Sequence, residues 1–319
     1  MAIIKNLAFY QKSALKNLAS FVGYDFFATG FISFPFDLIN NLVPLRLKFS
    51  QETFVLIDDN KIKGLISLEK EKGNFRKLKI NKFFLDSDSF VLSEQLVNYA
   101  ISRFCANGAT SFQVIVDESY SDVINLFVNA SKFRISAQEL IYKIERSSYQ
   151  DTLPNYFEIF HDSDANNVCD LYNSVIFSYL LPVFEKKENY FKGDILNNNT
   201  SFKFIFKDSE SDKIYGYFSI STSDNFNYML DFVIDPCFNS YFLDIVHFVN
   251  SQILKRNKDF NLYLRIKKYF SNSDDIVKIL DEHKAKLVRK NFVLTKDFFI
   301  PAKEFKSNKI LFDALSTSV

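Results

Sequence analysis

The chain has no tryptophan, two methionines, three cysteines, three histidines, seven glycines and six prolines among its 319 residues. Cys105, Cys169 and Cys237 are odd in number and far apart, so they offer no disulfide framework and no C-x-x-C redox or metal pair, and reduced thiols are expected. His161, His247 and His283 are equally scattered, with no ligand pattern beside them, and no metal site is expected. Net charge is only +1, which leaves no surplus of cations to displace counterions from a phosphate backbone. Nucleic acid is therefore not an expected partner. Long apolar runs are missing too. Lys5, Lys12 and Lys16 interrupt the first twenty residues, and Asp25, Pro35, Asp37 and Pro44 break the stretch from Phe21 to Leu45. Neither a secretory signal nor a membrane-crossing helix of about 20 residues fits there. The expectation is a cytoplasmic protein without a membrane partner.

What is abundant is phenylalanine, with 38 residues, and lysine, with 31 against 8 arginines. This is a compositional bias, and the Phe side chains are expected in cores. Hydrophobic residues at 47% and charged residues at 24% suit a globular chain, and the length favours two cores of about 150 residues each. The clusters Lys267-Lys268 and Arg289-Lys290 read as solvated faces of strand ends.

Periodicity predicts a hairpin from Thr53–Asp58 and Ile62–Glu69 around Asp59-Asn60-Lys61, then a strand over Leu78–Leu85 and a helix over Ser93–Phe104 closed by Gly108. A strand over Phe112–Val116, a helix over Asp122–Ala130 and a strand over Gln138–Ile144 complete the first half. Residues 147–155 are polar, contain Pro154 and read as a linker between domains at 1–146 and 156–319. The plan then repeats. Lys203–Lys207, Ile214–Ser221 and Tyr228–Ile234 are strands, Tyr241–Leu254 a helix, Leu262–Ile266 a strand, Asp274–His283 a helix and Phe292–Phe299 a strand. Ile214-Tyr215-Gly216 follows Ile62-Lys63-Gly64 by about 152 residues, and Asp235 follows Asp86 by about 149. Each half has a helical preface, Gln11–Ser20 with Leu38–Asn41 in the first and Asp164–Val175 with a weaker stretch over Val183–Tyr190 in the second. Asp162, Asp164 and Asn166 have calcium-loop spacing, but Asn167 and Asn173 stand where such a loop needs Gly and Glu, so Asp162 or Ser163 is read as a helix cap.

This element order, together with Val55-Leu56-Ile57-Asp58-Asp59, Gly64-Leu65-Ile66 and Leu126–Phe133 in one half and Gly216 and Phe232–Pro236 in the other, resembles the GNAT acyltransferases. The resemblance implies an α/β fold of two tandem GNAT-like domains, each a mixed, mainly antiparallel sheet flanked by helices. It also implies acetyl-CoA or another acyl-CoA as cofactor, no metal, and a small-molecule or peptide amine as acceptor. By the same resemblance, Leu85, Leu92 and Ser93 in the first copy and Ile234, Asn239 and Ser240 in the second flank the coenzyme's place.

The departures are specific. The family holds pyrophosphate with an R/Q-x-x-G-x-G/A loop, whose backbone N–H groups suit an anion. Here the two loops read DSDSFVLSEQ and DPCFNSYFLD, without Gly, Arg or Lys and with Asp86, Asp88 and Asp235 nearby. Phe127 and Leu280 replace the tyrosine that serves many members as general acid, and both read as helix core. For the base, the second copy offers Asp231 where the first has Lys82. If Asp231 faces an apolar cleft its pKa is expected to rise, as suits a base acting near neutral pH. Two functions remain open: an N-acyltransferase moving an acyl group from acyl-CoA to an amine, or a non-catalytic protein that binds a metabolite or protein partner in the former cleft.

Overall fold

Paired Asx residues at positive φ close the first hairpin. In the computed structural model, which describes residues 3–6, 19–23, 51–86, 90–145, 156–193, 200–207 and 213–298, strands β3 (Gln51–Asp58) and β4 (Lys61–Glu71) meet at Asp59 and Asn60, whose φ values are 48° and 59°. This is the two-residue turn whose twist matches the strands it joins. β5 (Asn74–Leu85) follows, then α1 (Phe90–Cys105), β6 (Ser111–Asp117), α2 (Ser121–Asn125) with a wider turn over Leu126–Ala130, and β7 (Arg134–Ile144). Gly108, at φ 90°, turns the chain after α1. The second half supplies β8 (Phe157–Ile159), α3 (Ala165–Ser174), α4 (Leu181–Phe184), β9 (Thr200–Lys207), β10 (Ile214–Thr222) and β11 (Asn227–Ile234). It ends with α5 (Phe242–Leu254), β12 (Asn261–Lys267), α6 (Ser273–Glu282) and β13 (Lys286–Asp297). The first half also contributes β1 (Ile3–Asn6) and β2 (Ala19–Gly23).

One sheet runs through both halves, in the order β1-β3-β4-β5-β6-β13-β7-β12-β11-β10-β9-β8, with β2 paired to β5 off that path. Only β5–β6 and β11–β12 are parallel among the described pairs; the others are antiparallel. The order is palindromic about the pair β13–β7, and the register repeats the symmetry. Asn291 faces Glu139 at the centre, and the flanking pairs Lys290↔Leu140 and Phe292↔Gln138 exchange under a half turn. The last strand of each half has thus crossed to the other. β13 completes the first sheet beside β6, and β7 completes the second beside β12.

Helices α1 and α2 cover one face of the first half, burying Phe54, Phe83, Phe104, Phe112 and Phe127. Helices α5 and α6 do the same in the second half over Phe218, Phe242 and Phe260. Most of the described Phe side chains are buried, as their chemistry predicts, with Phe75, Phe226 and Phe298 exposed. A third core lies on the opposite face, where Val168, Tyr172, Phe184 and Phe191 pack on Val233 and Tyr217 of the second half and on Ile115 and Val293 of β6 and β13. No helix among the described residues is long and apolar enough to cross a membrane.

Three local expectations change. Ala19 and Ser20 open β2 rather than closing a helix; residues 11–18 and 38–41 lie outside the described residues. β7 and β13 begin earlier than their apolar runs, at Arg134 and Lys286, because inter-strand pairing holds polar residues that a periodicity of side chains assigns to loops. Neither Asp162 nor Ser163 caps α3. Asp164 accepts from the His161 N–H at 2.8 Å, and Asp162 accepts from the Gly193 N–H at 2.9 Å.

Candidate functional site

Two parallel strands that part company leave backbone N–H and C=O groups facing a gap, and those groups need other partners. This happens once in each half. Pairing of β5 with β6 ends at Ile80↔Val114, although β5 continues to Leu85 and β6 to Asp117. Pairing of β11 with β12 ends at Asp231↔Arg265, although β11 continues to Ile234 and β12 to Lys267. Each wedge opens toward the loop that precedes a helix, α1 in one half and α5 in the other.

The expected coenzyme-side residues flank these loops. Leu85 is buried and Leu92 packs against the same first core, while Ser93 is fully buried. Asp86 is not a lone repelling charge, since Lys63 Nζ donates to it at 2.6 Å; Asp88 lies outside the described residues. In the second half, the buried Asn272 side chain donates to the Ile234 carbonyl at 3.1 Å and to Asn239 Oδ1 at 2.8 Å. It ties β11 to the turn Pro236–Tyr241 across the wedge mouth. Asp235 accepts from the Cys237 N–H at 3.0 Å, and Ser240 is exposed. Asp244, in the first turn of α5, accepts from the Tyr156 hydroxyl at 2.8 Å. The end of α5 that attracts anions thus already has a carboxylate on it. Burial and that carboxylate both push the Tyr156 hydroxyl up.

Asp231 projects from β11 onto the face that α3 covers, between the buried Met229 and Val233. Its surroundings are ionic. Arg265 Nη1 and Lys267 Nζ each stand 3.5 Å from its carboxylate, and its side chain keeps 23% of its exposure. Burial alone raises its carboxyl, but Arg265 and Lys267 outweigh that and hold it below the usual carboxylate range. The expected upward shift is therefore reversed, because the neighbours are cations rather than hydrocarbon. Lys267, read from sequence as solvated, is 12% exposed and lies over the rings of Tyr172 and Phe270 at 5.4 and 5.5 Å.

The fourth member of this cluster comes from the other half. Glu139, on the crossed-over β7, places Oε2 at 3.8 Å from Arg265 Nε and is 4% exposed. Burial pushes its carboxyl up, more than Arg265 and Lys267 pull it down. The folded state therefore binds the Glu139 proton more tightly than the unfolded state, and this group's contribution to stability falls as pH rises above the ordinary carboxylate range. Glu139→Gln removes the titration. Its stability relative to the unaltered protein should improve between about pH 5 and about pH 8, read from urea midpoints at the two values.

A second ionic group also joins the halves, and its Lys79 acts on both Glu139 and Asp231. Lys186 donates to Glu71, at the end of β4, both being under a tenth exposed. Lys79 stands 3.6 Å from the same oxygen, and Lys79 and Lys186 lie over the Tyr190 ring at 5.2 and 4.8 Å. Burial and the like charge of Lys79 lower Lys186 to about 7. Sequence reading singled out Asp231 but not the Glu139, Arg265, Lys186 and Glu71 that form ion pairs around and near it. The available signal was the polar side of the alternating strand Leu262–Ile266, which needs partners once the apolar stripe of α3 is laid over it.

Phe127 and Leu280, at the places where a general-acid tyrosine is expected, are buried in the first and second cores. Among the described residues no group of three or more His, Cys, Asp or Glu stands together to hold a metal ion.

No family model matches the chain, and no curated protein matches it in sequence. Solved structures do. A tandem GNAT protein from the clavulanic acid biosynthesis pathway, solved without AcCoA, is 13% identical and superposes with a TM-score of 0.57 over 95% of this chain and 100% of its own. A GCN5-related N-acetyltransferase from Sphaerobacter thermophilus is 8% identical, with a TM-score of 0.52 over 77% of this chain and 80% of its own. The palindromic sheet, the paired wedges and these likenesses agree: the chain has the tandem GNAT fold.

Proposed function

We propose that this is a GNAT-like protein that binds a metabolite or a protein partner in the former active-site cleft of its second half and does not transfer acyl groups. The observation behind this reading is the ion cluster at the wedge. A base that takes a proton from an ammonium substrate works best with a pKa near the operating pH. Asp231 is instead held low by Arg265 and Lys267. The lack of a glycine-rich phosphate loop in either half points the same way.

The second reading is transfer of an acetyl or other acyl group from acyl-CoA to a small-molecule or peptide amine in the cytoplasm. It is favoured by the wedge beside β11, where no further strand pairs among the described residues. Calorimetry with acetyl-CoA and coenzyme A, followed by an acetyl-transfer assay on a panel of amines, separates the two. Asp231→Asn should leave no turnover to lose and should lower stability by about 1–3 kcal/mol, since two cations lose their anion. Turnover in the unaltered protein that falls by about 10² to 10⁴ in the variant would instead establish Asp231 as the base.

A further inference from the structure

The edge of β5 that the first wedge uncovers is taken by the chain itself. From Lys82 to Leu85, β5 pairs with β4 on one side (Ser67↔Lys82 to Gly64↔Leu85). On the other side, where β6 has turned away, it pairs with β2: Ala19↔Leu85, Ser20↔Phe84, Val22↔Phe83 and Gly23↔Lys82. β2 also lies against β6, so it occupies the wedge rather than its rim. The second wedge is built differently. There the last carbonyl of β11 is met by the Asn272 side chain, and no strand lies along Phe232–Ile234 on that side among the described residues.

A ladder edge takes one extended chain at a time, because each N–H and C=O facing the wedge has one partner position along it. A ligand that enters as an extended row of amides must use the groups that β2 already uses. We propose that β2 is a built-in competitor that keeps the first wedge shut, and that the first half binds an amide-bearing coenzyme thioester only when β2 leaves. The two halves then differ in state: the first is closed by a strand of its own chain, while in the second the Asn272 side chain meets the last carbonyl of β11 and no strand pairs there among the described residues. This rests on the coenzyme-type wedge of the fold and is independent of whether Asp231 is a base.

Because β2 is tethered, it competes at high effective concentration, and the apparent affinity of the first half is reduced by the fraction of time the wedge is open. The test is a Ser20→Pro/Phe21→Pro double variant, which removes two adjacent N–H groups and cannot keep the ladder. Coenzyme A is titrated by calorimetry, with amide exchange at Lys82–Leu85 followed in parallel. The expected result is free exchange in the variant at those of these amides that face β2, the others staying bonded to β4, with renewed protection on adding coenzyme A and affinity at least about tenfold above the unaltered protein. A companion Ala19→Cys/Leu85→Cys variant should bind coenzyme A at β5 when reduced no better than the unaltered protein, and not at all when oxidised. Released β2 without gained affinity overturns the proposal. So does coenzyme A protecting Lys82–Leu85 in the oxidised variant. Should the proline variant fail to fold, equal binding at β5 by oxidised and reduced forms of the companion variant overturns it as well. Binding confined to β11 in the proline variant, with β2 released, overturns it too, and bears separately on the second-half reading.

Discussion

Produced separately, the fragments 1–146 and 156–319 should each fail to unfold cooperatively, and mixing them should restore a single transition. The first fragment lacks β13, so β6 loses its partner from Ser111 to Asp117 and the core loses the buried Leu294. The second lacks β7 and with it Leu140 and Tyr142, both members of its main core. It also keeps β13, with no β6 or β7 to hold it. Unpaired central strands are templates for aggregation, so each fragment alone should precipitate or elute as a large species. Size exclusion, and far-ultraviolet circular dichroism of the mixture against urea, provide the readout. A fragment 1–146 that folds as a stable monomer would mean that β7 returns to its own half in solution, and the crossover would then be a property of the full chain only.

Glu71→Ala should be the most damaging single substitution in the seam, lowering stability by about 3–5 kcal/mol. It leaves Lys186, 7% exposed, without its anion and beside Lys79, with Lys77 close enough to add to the like charge. The loss comes from a buried Lys186 that must either stay charged without an anion or give up its proton, rather than from the pair's own strength. Replacing both members, as Glu71→Leu/Lys186→Met, should therefore recover most of it. Acid should imitate the single variant. Burial raises the Glu71 carboxyl, but Lys186 and Lys79 together hold it below its ordinary value. Its contribution is thus complete at neutral pH and lost as pH falls through the acid range. Urea unfolding of the three proteins at about pH 7, and of the unaltered one down to about pH 3, checks both statements. A loss under about 1 kcal/mol in the single variant would place the pair in solvent.

Local chemistry made the hairpins legible. Asp59-Asn60 announces its turn, and Gly108 announces the end of α1. The repeat at about 150 residues foretold two copies of one plan. It did not tell which copy each last strand completes. β7 and β13 have compatible alternation, both pair antiparallel with a strand of the β6 or β12 kind, and exchanging them leaves every local preference unchanged. The wedge loops were recognisable by position, yet the groups that fill them were not. Asn272 and Tyr156 are common polar residues whose roles appear only when Ile234 and Asp244 are brought beside them. Asp231 was visible as an acid within an apolar strand. Its pKa direction was not, because Arg265, Lys267 and Glu139 come from two other strands, one of them crossed over from the first half.

The pair Glu139↔Asn291 sits where the sheet's half turn maps each residue onto its partner. In a dimer of two identical chains with this architecture, that position could hold only one residue type, facing its own copy. A glutamate there would meet a buried glutamate directly opposite, with Cβ atoms about 5 Å apart and like charges facing each other; an asparagine would leave Arg265 without its Glu139 carboxylate. A single chain that contains both copies is released from this restriction. It has spent that freedom on an acid opposite an amide, with Arg265 on one flank of the axis and Ile115 in the corresponding place on the other. Covalent joining of the halves therefore does more than tether them: it permits an electrostatic asymmetry, at the one line where symmetry is strictest, that separate subunits could not encode.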